Sequence, residues 1–264
     1  FHEIFADRHL ARCIDCSMIF VDPMPTDAEW DSYNSNFFSE SLGGVPNNES
    51  VVRFSEGLAA LRLDHIESYG DGLPDAVLEV GPGPGYLYRA YAQRHTAVRY
   101  AAVETDLACR DSLRGLGINT AESLDDLDAD EEEFDLLFMS HVLEHSLVPR
   151  QFLGAALRFL RPGGTLFVEV PCNDFEYKPI FDAHVLFFDK APMAQLLDDC
   201  GLVDCRLSYH GEAVSRLRRR LGLVHRVQDR ARRWYNALVG RVPDSAEHDP
   251  KAWAAHLETD EPAR

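Results

Sequence analysis

The chain has 264 residues, 45% of them hydrophobic, with 17 Gly and 14 Pro, so it can bury a sizeable core and is neither disordered nor low-complexity. Its 44 Asp and Glu outnumber 26 Lys and Arg, for a formal net charge of −18, and such a surface repels phosphate backbones, which disfavours generic DNA or RNA binding. No stretch approaches the roughly 20 apolar residues needed to cross a bilayer, and the first residues, Phe1 to Arg12, carry charges where a signal peptide would need an apolar run, so a cytoplasmic protein is expected.

Residues 1–48 mix aromatics, Pro and a Cys pair, and they end in Gly43-Gly44-Val45-Pro46-Asn47-Asn48, a turn-rich linker. The start at Phe1 rather than Met leads to the expectation that an upstream piece has been trimmed. Six Cys occur, at 13, 16, 109, 172, 200 and 205, and only Cys13 and Cys16 have the spacing of metal ligands or redox thiols.

A helix is predicted over 50–69. Short apolar runs and helical patterns then alternate: strand 76–80, helix 87–94, strand 99–104, helix 107–116, a short strand 118–120, strand 134–140, helix 150–160 and strand 165–170. This alternation implies βαβ units, hence an α/β protein whose doubly wound, mostly parallel sheet fills residues 49–210. A helix over 192–200 and a further strand over 203–209 complete it.

Residues 211–264 read as a helical extension that turns acidic after Pro243. Between Arg206 and Arg241 there are ten Arg against two acids, Glu212 and Asp229. The amphipathic pattern suits a helix that packs on the core with its charged side outward. An anionic acceptor, such as a nucleotide-linked sugar, and an anionic membrane surface are the alternatives.

The run Val77-Leu78-Glu79-Val80-Gly81-Pro82-Gly83-Pro84-Gly85-Tyr86-Leu87 is an apolar strand that ends in alternating glycines and opens a helix. Glycines there let the chain turn sharply and let a ligand approach without a Cβ in the way. A dinucleotide fingerprint needs Gly at the sixth position, which is Tyr86 here. Glu79, two residues before Gly81, adds a carboxylate that gains nothing from a pyrophosphate and suits a cationic amine.

This turn resembles motif I of the class I S-adenosylmethionine-dependent methyltransferases, and further motifs follow in order. Tyr100 to Asp106 resembles the second strand, whose terminal Glu104, with Thr105 beside it, would accept the ribose hydroxyls. Phe134 to His145 resembles the fourth strand and its turn, placing Ser140 and His141 by the adenine and sulfonium. Leu160-Arg161-Pro162-Gly163-Gly164-Thr165-Leu166 resembles the turn into the fifth strand. The resemblance implies a Rossmann-like fold with the cofactor at the carboxyl ends of the strands, held by Glu79, Gly81, Pro82, Gly83, Gly85, Tyr86, Glu104, Thr105, Ser140 and His141. Glu122 and Ser123 are assigned to the adenine, or else to a solvated loop.

Methyl transfer is an in-line displacement that asks the protein to position the nucleophile, exclude water and remove a proton. His184, in Phe181-Asp182-Ala183-His184-Val185-Leu186-Phe187, resembles the His-x-x-aromatic element of small-molecule and sugar C-methyltransferases, which often have Glu where Ala183 stands. It is the candidate base, with His145 as second catalytic candidate. Tyr33, Phe37 and Phe38 resemble an aromatic element that closes the acceptor pocket, or else form the apolar face of a small core; Asn173 is assigned to the acceptor with them.

The segment Arg12-Cys13-Ile14-Asp15-Cys16-Ser17 resembles the second half of a zinc ribbon that precedes this domain in a bacterial subgroup including deoxysugar C-methyltransferases. Cys13 and Cys16 would then bind a structural zinc with ligands lying upstream, and a redox pair is the runner-up. The expected activity is S-adenosylmethionine-dependent methylation, on carbon or oxygen, of a small-molecule acceptor such as a sugar nucleotide or natural-product intermediate, without nucleic acid. An NAD-dependent reductase and an inactive binding module are the rivals.

Overall fold

A 3-10 turn at Glu3–Phe5 precedes a hairpin in which β1 (His9–Arg12) pairs antiparallel with β2 (Ile19–Asp22) across the turn that carries Cys13 and Cys16. The structure, a computed structural model, describes residues 3–5, 8–35, 45, 49–70, 72–127, 133–172 and 184–210. Helix α1 (Asp27–Ser35) follows the hairpin, and α2 (Glu49–Glu67) leads into the large sheet.

Five segments form that sheet: β3 (Ala76–Val80), β4 (Arg99–Val103), β5 (Asn119–Ala121), β6 (Phe134–Ser140) and β7 (Leu160–Glu169). Their order is β5-β4-β3-β6-β7, and every pairing is parallel. The connecting helices are α3 (Tyr86–Arg94), α4 (Leu107–Gly115) and α5 (Pro149–Leu157), with α6 (Lys190–Asp199) after the sheet. Because the chain winds outward from β3 in both directions, a crevice opens at the carboxyl ends of β3, β4 and β6, where α/β sheets of this kind take their ligands.

Strand alternation assigns the two faces. Leu78, Val80, Ala101, Val103, Leu137 and Met139 share one core with Trp30, Leu153, Ala156 and Leu196. Val77, Ala102, Leu136 and Phe138 share the other with Ala59 and Leu63 of α2, Leu87 and Tyr91 of α3, and Leu113 of α4. β3 is buried along its whole length, as a sheet covered on both faces requires. The α/β, doubly wound expectation is therefore met.

Three details differ from the sequence reading. Residues 203–210 form no strand. Asp204 takes a left-handed φ of 53° and Val203 is 83% exposed, so the run has no buried face to register, while Leu207 packs on the core and the Tyr209 hydroxyl donates to Asp189. β7 starts at Leu160, ahead of the expected 165, because the Pro162-Gly163-Gly164 turn is taken up as an irregularity between Phe134 and Leu136 of its partner. α5 correspondingly stops at Leu157.

A two-residue strand, β8 (Leu186–Phe187), pairs with β2 to give a second sheet in the order β1-β2-β8. Most of the linker expected at 43–48, the extension 211–264, and Phe37, Phe38 and Asn173 lie outside the described residues. No helix among the described residues is long and apolar enough to cross a membrane.

Candidate active site

The glycine turn has the geometry its composition implies. Gly81, Gly83 and Gly85 all adopt left-handed φ values, 71°, 54° and 84°. A Cβ on Gly81 would lie 2.5 Å from Val142 Cγ2, and one on Gly85 would lie 2.8 Å from Leu113 Cδ2, so glycine answers both a backbone and a packing demand. The Gly85 N–H donates to the Pro82 carbonyl at 3.1 Å, closing the turn, and Tyr86 opens α3.

Glu104, at the end of β4, is 7% exposed and reaches back to this turn: Oε2 accepts from the Gly83 N–H and Oε1 from the Asp106 N–H, each at 2.9 Å. Burial raises its pKa above the ordinary carboxylate value, against the pull of those amides. Arg110, itself buried, donates to the Glu104 and Thr105 carbonyls and pairs with Glu122 at 3.0 Å. Ser123 instead faces its own turn, donating through both N–H and Oγ to Asp126 at 2.9 Å.

Glu79 projects from β3 into the α2–α3 side, where it accepts from the Tyr100 hydroxyl. Burial pushes its pKa up to about 7, even though that bond and the Arg62 guanidinium act in the opposite sense. Such a carboxyl is poised to ionise when a cation arrives.

At the end of β6, His141 adopts a left-handed φ of 57°, a strained conformation for a side chain of this size, while its N–H donates to the Glu169 carbonyl at 2.9 Å. The Glu169 carboxylate, at the end of β7, takes Ser140 Oγ–H at 2.8 Å and Arg62 Nε–H at 2.5 Å. Burial acts to raise Glu169, but the charges of Arg62 and His141 outweigh it and hold it below the ordinary range. For His141, burial acts to lower the imidazole, but Glu144 and Glu169 outweigh it and the pKa is raised.

His145 and His184, far apart in sequence, meet here with ring centroids 4.9 Å apart in an edge-to-face arrangement. Between them sits Glu144, 1% exposed, whose Oε1 lies 3.9 Å from each Nε2 and 3.2 Å from His141 Nδ1. One ligand atom from each of Glu144, His145 and His184 falls within 4.8 Å of the others, a set that could hold a cation. Trp30 closes the cluster from α1, donating Nε1–H to the His145 carbonyl at 2.5 Å and stacking on the ring.

Tyr33 is 7% exposed and stacks on Trp30, with Phe5 edge-on to both; its ring belongs to the core. Cys13 and Cys16 lie at the hairpin tip. The Cys13 thiol is lowered by amides of Cys16 and Asp15 and by the Cys16 side chain, and Ser17 takes a left-handed φ of 63°. Sequence reasoning missed Arg62, Trp30, Tyr100, Arg110, Glu144 and Glu169. Glu144 and Glu169 could have been flagged as acids just after β6 and at the end of β7, and Tyr100 as the polar ring within the β4 motif, whereas Arg62, Trp30 and Arg110 lie in no motif.

Residues 56–234 match the family model described as Methyltransferase domain. Two curated relatives are both ubiquinone biosynthesis O-methyltransferases. One, from Xanthomonas oryzae pv. oryzae, is 31% identical over 117 residues, 42% of this chain and 49% of the relative. The other, from Idiomarina loihiensis, is 34% identical over 119 residues, 40% and 47% of the two chains. The chain thus spans about half the length of these relatives. Among solved structures, a plantazolicin methyltransferase in complex with a desmethyl analogue and S-adenosylhomocysteine is 11% identical with a TM-score of 0.43, covering 66% of this chain and 70% of that one. Mitomycin 7-O-methyltransferase is 16% identical with a TM-score of 0.45, covering 58% and 49%.

Proposed function

The chain belongs to the methyltransferase-domain family, and on that premise we propose that it moves the methyl group of S-adenosylmethionine to an oxygen or carbon of a small-molecule acceptor in the cytoplasm. The observation that carries this reading is the convergence, at the carboxyl ends of β3, β4 and β6, of a left-handed glycine turn, the buried acid Glu104 bonded to it, and the His145–His184 pair. Bound there, S-adenosylmethionine supplies an electrophilic methyl group on a sulfonium.

Gly81, Pro82, Gly83 and Gly85 would take the cofactor backbone without steric conflict, and Tyr86 would border it from the start of α3. Glu104 would exchange its amide partners for the ribose hydroxyls, with Thr105 beside it. Glu79 would neutralise the amino group, and Ser140 and the strained His141 backbone would face the adenine and sulfonium. Glu122 and Ser123 already have partners in Arg110 and Asp126, so an adenine contact would come from their loop. His184 would take the acceptor proton, with His145 and Tyr33 bordering the acceptor. The relatives' O-methyltransferase activity supports an oxygen acceptor. The assignment of Phe37, Phe38 and Asn173 to the acceptor rests on the sequence resemblance.

Calorimetric titration with S-adenosylhomocysteine tests the cofactor. Micromolar binding, abolished by Gly83→Arg, is expected; binding of NADH alone would sink the reading. Binding without turnover across a broad acceptor screen would identify a module that keeps the pocket but not the chemistry.

We also propose that Cys13 and Cys16 supply two ligands of a structural zinc. The amides that lower the Cys13 thiol and the tight turn at Ser17 fit a thiolate pair, and a closed site takes four ligands. Elemental analysis should show zinc that is lost in Cys13→Ser; a reversible Cys13–Cys16 disulfide in metal-free protein would contradict it.

A further inference from the structure

Among the described residues, neither carboxylate oxygen of Glu144 has a well-aligned hydrogen bond, yet the side chain is 1% exposed. A buried carboxylate left in that state is costly unless charges around it compensate. Three imidazoles do surround it, His141 at 3.2 Å and His145 and His184 at 3.9 Å each.

The backbone fixes this meeting. The Val185 N–H donates to the Glu144 carbonyl at 3.0 Å, which pins the residue after His184 to the residue carrying the carboxylate. The Val185 carbonyl in turn accepts from the Val21 N–H at 2.9 Å, so the hairpin strand β2 clamps the same segment, while Trp30 clamps His145. Two independent segments thus deliver imidazoles to one carboxylate.

We propose that Glu144 is the positioning residue of the acceptor-side histidines: it holds the Nε2–H of His184 toward itself, leaving Nδ1 as the basic nitrogen, and neutralises the imidazolium formed when that nitrogen takes a proton. This rests on the methyl-transfer reading above. A separation of 3.9 Å is a charge contact and not a hydrogen bond, of the kind that tightens when a site fills. In the reaction the acceptor oxygen bonds to the methyl carbon, the carbon–sulfur bond breaks to leave a neutral thioether, and the hydroxyl proton passes to His184 Nδ1. A carboxylate that fixes the tautomer and stays ionised is the arrangement that makes histidine an effective base. Among the described residues, the other charges facing the cluster include His141, whose imidazole Glu144 and Glu169 hold above its ordinary value, and Arg62 behind Glu169.

Nitrogen-15 NMR of the imidazole-labelled 264-residue chain, with S-adenosylhomocysteine added, tests this without knowing the acceptor. In the wild type His184 should be the Nε2–H tautomer when neutral; the Nδ1–H tautomer would overturn the proposal with no variant required. In Glu144→Gln the Nε2–H preference of His184 should weaken, and Glu144→Asp should restore part of it. An unchanged tautomer balance in a folded Glu144→Gln protein would mean that the carboxylate is merely structural. Binding of one equivalent of Co²⁺ by a Cys13→Ser, Cys16→Ser protein, lost on Glu144→Gln, would instead make the cluster a cation site and also overturn the proposal. Failure of S-adenosylhomocysteine to bind sinks the methyl-transfer reading separately, since the tautomer can be read in its absence.

Discussion

The Gly83 N–H donates to Glu104 Oε2 at 2.9 Å, so the turn after β3 and the acid at the end of β4 are already joined across neighbouring parallel strands. The two halves of the proposed cofactor site are held in mutual register before any ligand arrives, which lowers the ordering cost of binding. Glu104→Gln should therefore weaken S-adenosylhomocysteine binding by about tenfold to a hundredfold, the worth of a charged hydrogen-bond acceptor. Calorimetry with a melting-temperature control measures it; unchanged affinity would remove Glu104 from the site.

Gly81→Ala combines a left-handed φ of 71° with a 2.5 Å approach to Val142 Cγ2. It should cost about 1–3 kcal/mol in urea unfolding. Val142→Ala in the same chain relieves the clash but not the backbone strain, so it should recover only part of the loss; full recovery would show that φ carries no penalty.

Glu79 makes stability depend on pH in an unusual direction. Its pKa is raised from 4.5 to about 7, so between those values the folded state holds a proton that the unfolded chain has released. Stability must then fall as pH rises through that window, by on the order of 3 kcal/mol, and level off above it. Glu79→Gln should flatten this part of the curve in ligand-free protein. If a cationic amine binds beside Glu79, titration with S-adenosylhomocysteine near pH 6 should release a proton, read from the dependence of the heat on buffer ionisation enthalpy.

Trp30 ties α1 to the turn after β6 through its bond to the His145 carbonyl. Trp30→Phe keeps most of the ring but drops the donor, and should cost about 1–2 kcal/mol in chemical unfolding. Trp30→Ala should cost about 3–5 kcal/mol. A Trp30→Phe protein as stable as wild type would show that the bond is not formed in solution.

The sequence by itself determined what is local and periodic. The buried run of β3 followed by three alternating glycines could only be a strand and a tight turn, because the left-handed φ values there are sterically cheap for glycine and costly for other residues. Alternating apolar runs and helical patterns made a parallel sheet, and Glu104 stood at a strand end where a ligand could reach it.

What tertiary structure alone decided is long-range. The run 203–209 has a strand's composition but pairs with no described strand: Asp204 turns it and Leu207 packs on the core. Arg62 meets Glu169 across 107 positions, and His184 meets Glu144 because Val185 bonds to its backbone. Glycine turns can be read from residue type because their cause is the residue's own sterics. The carboxylate that serves a histidine depends on which segments the sheet brings together, and no spacing in the chain records it.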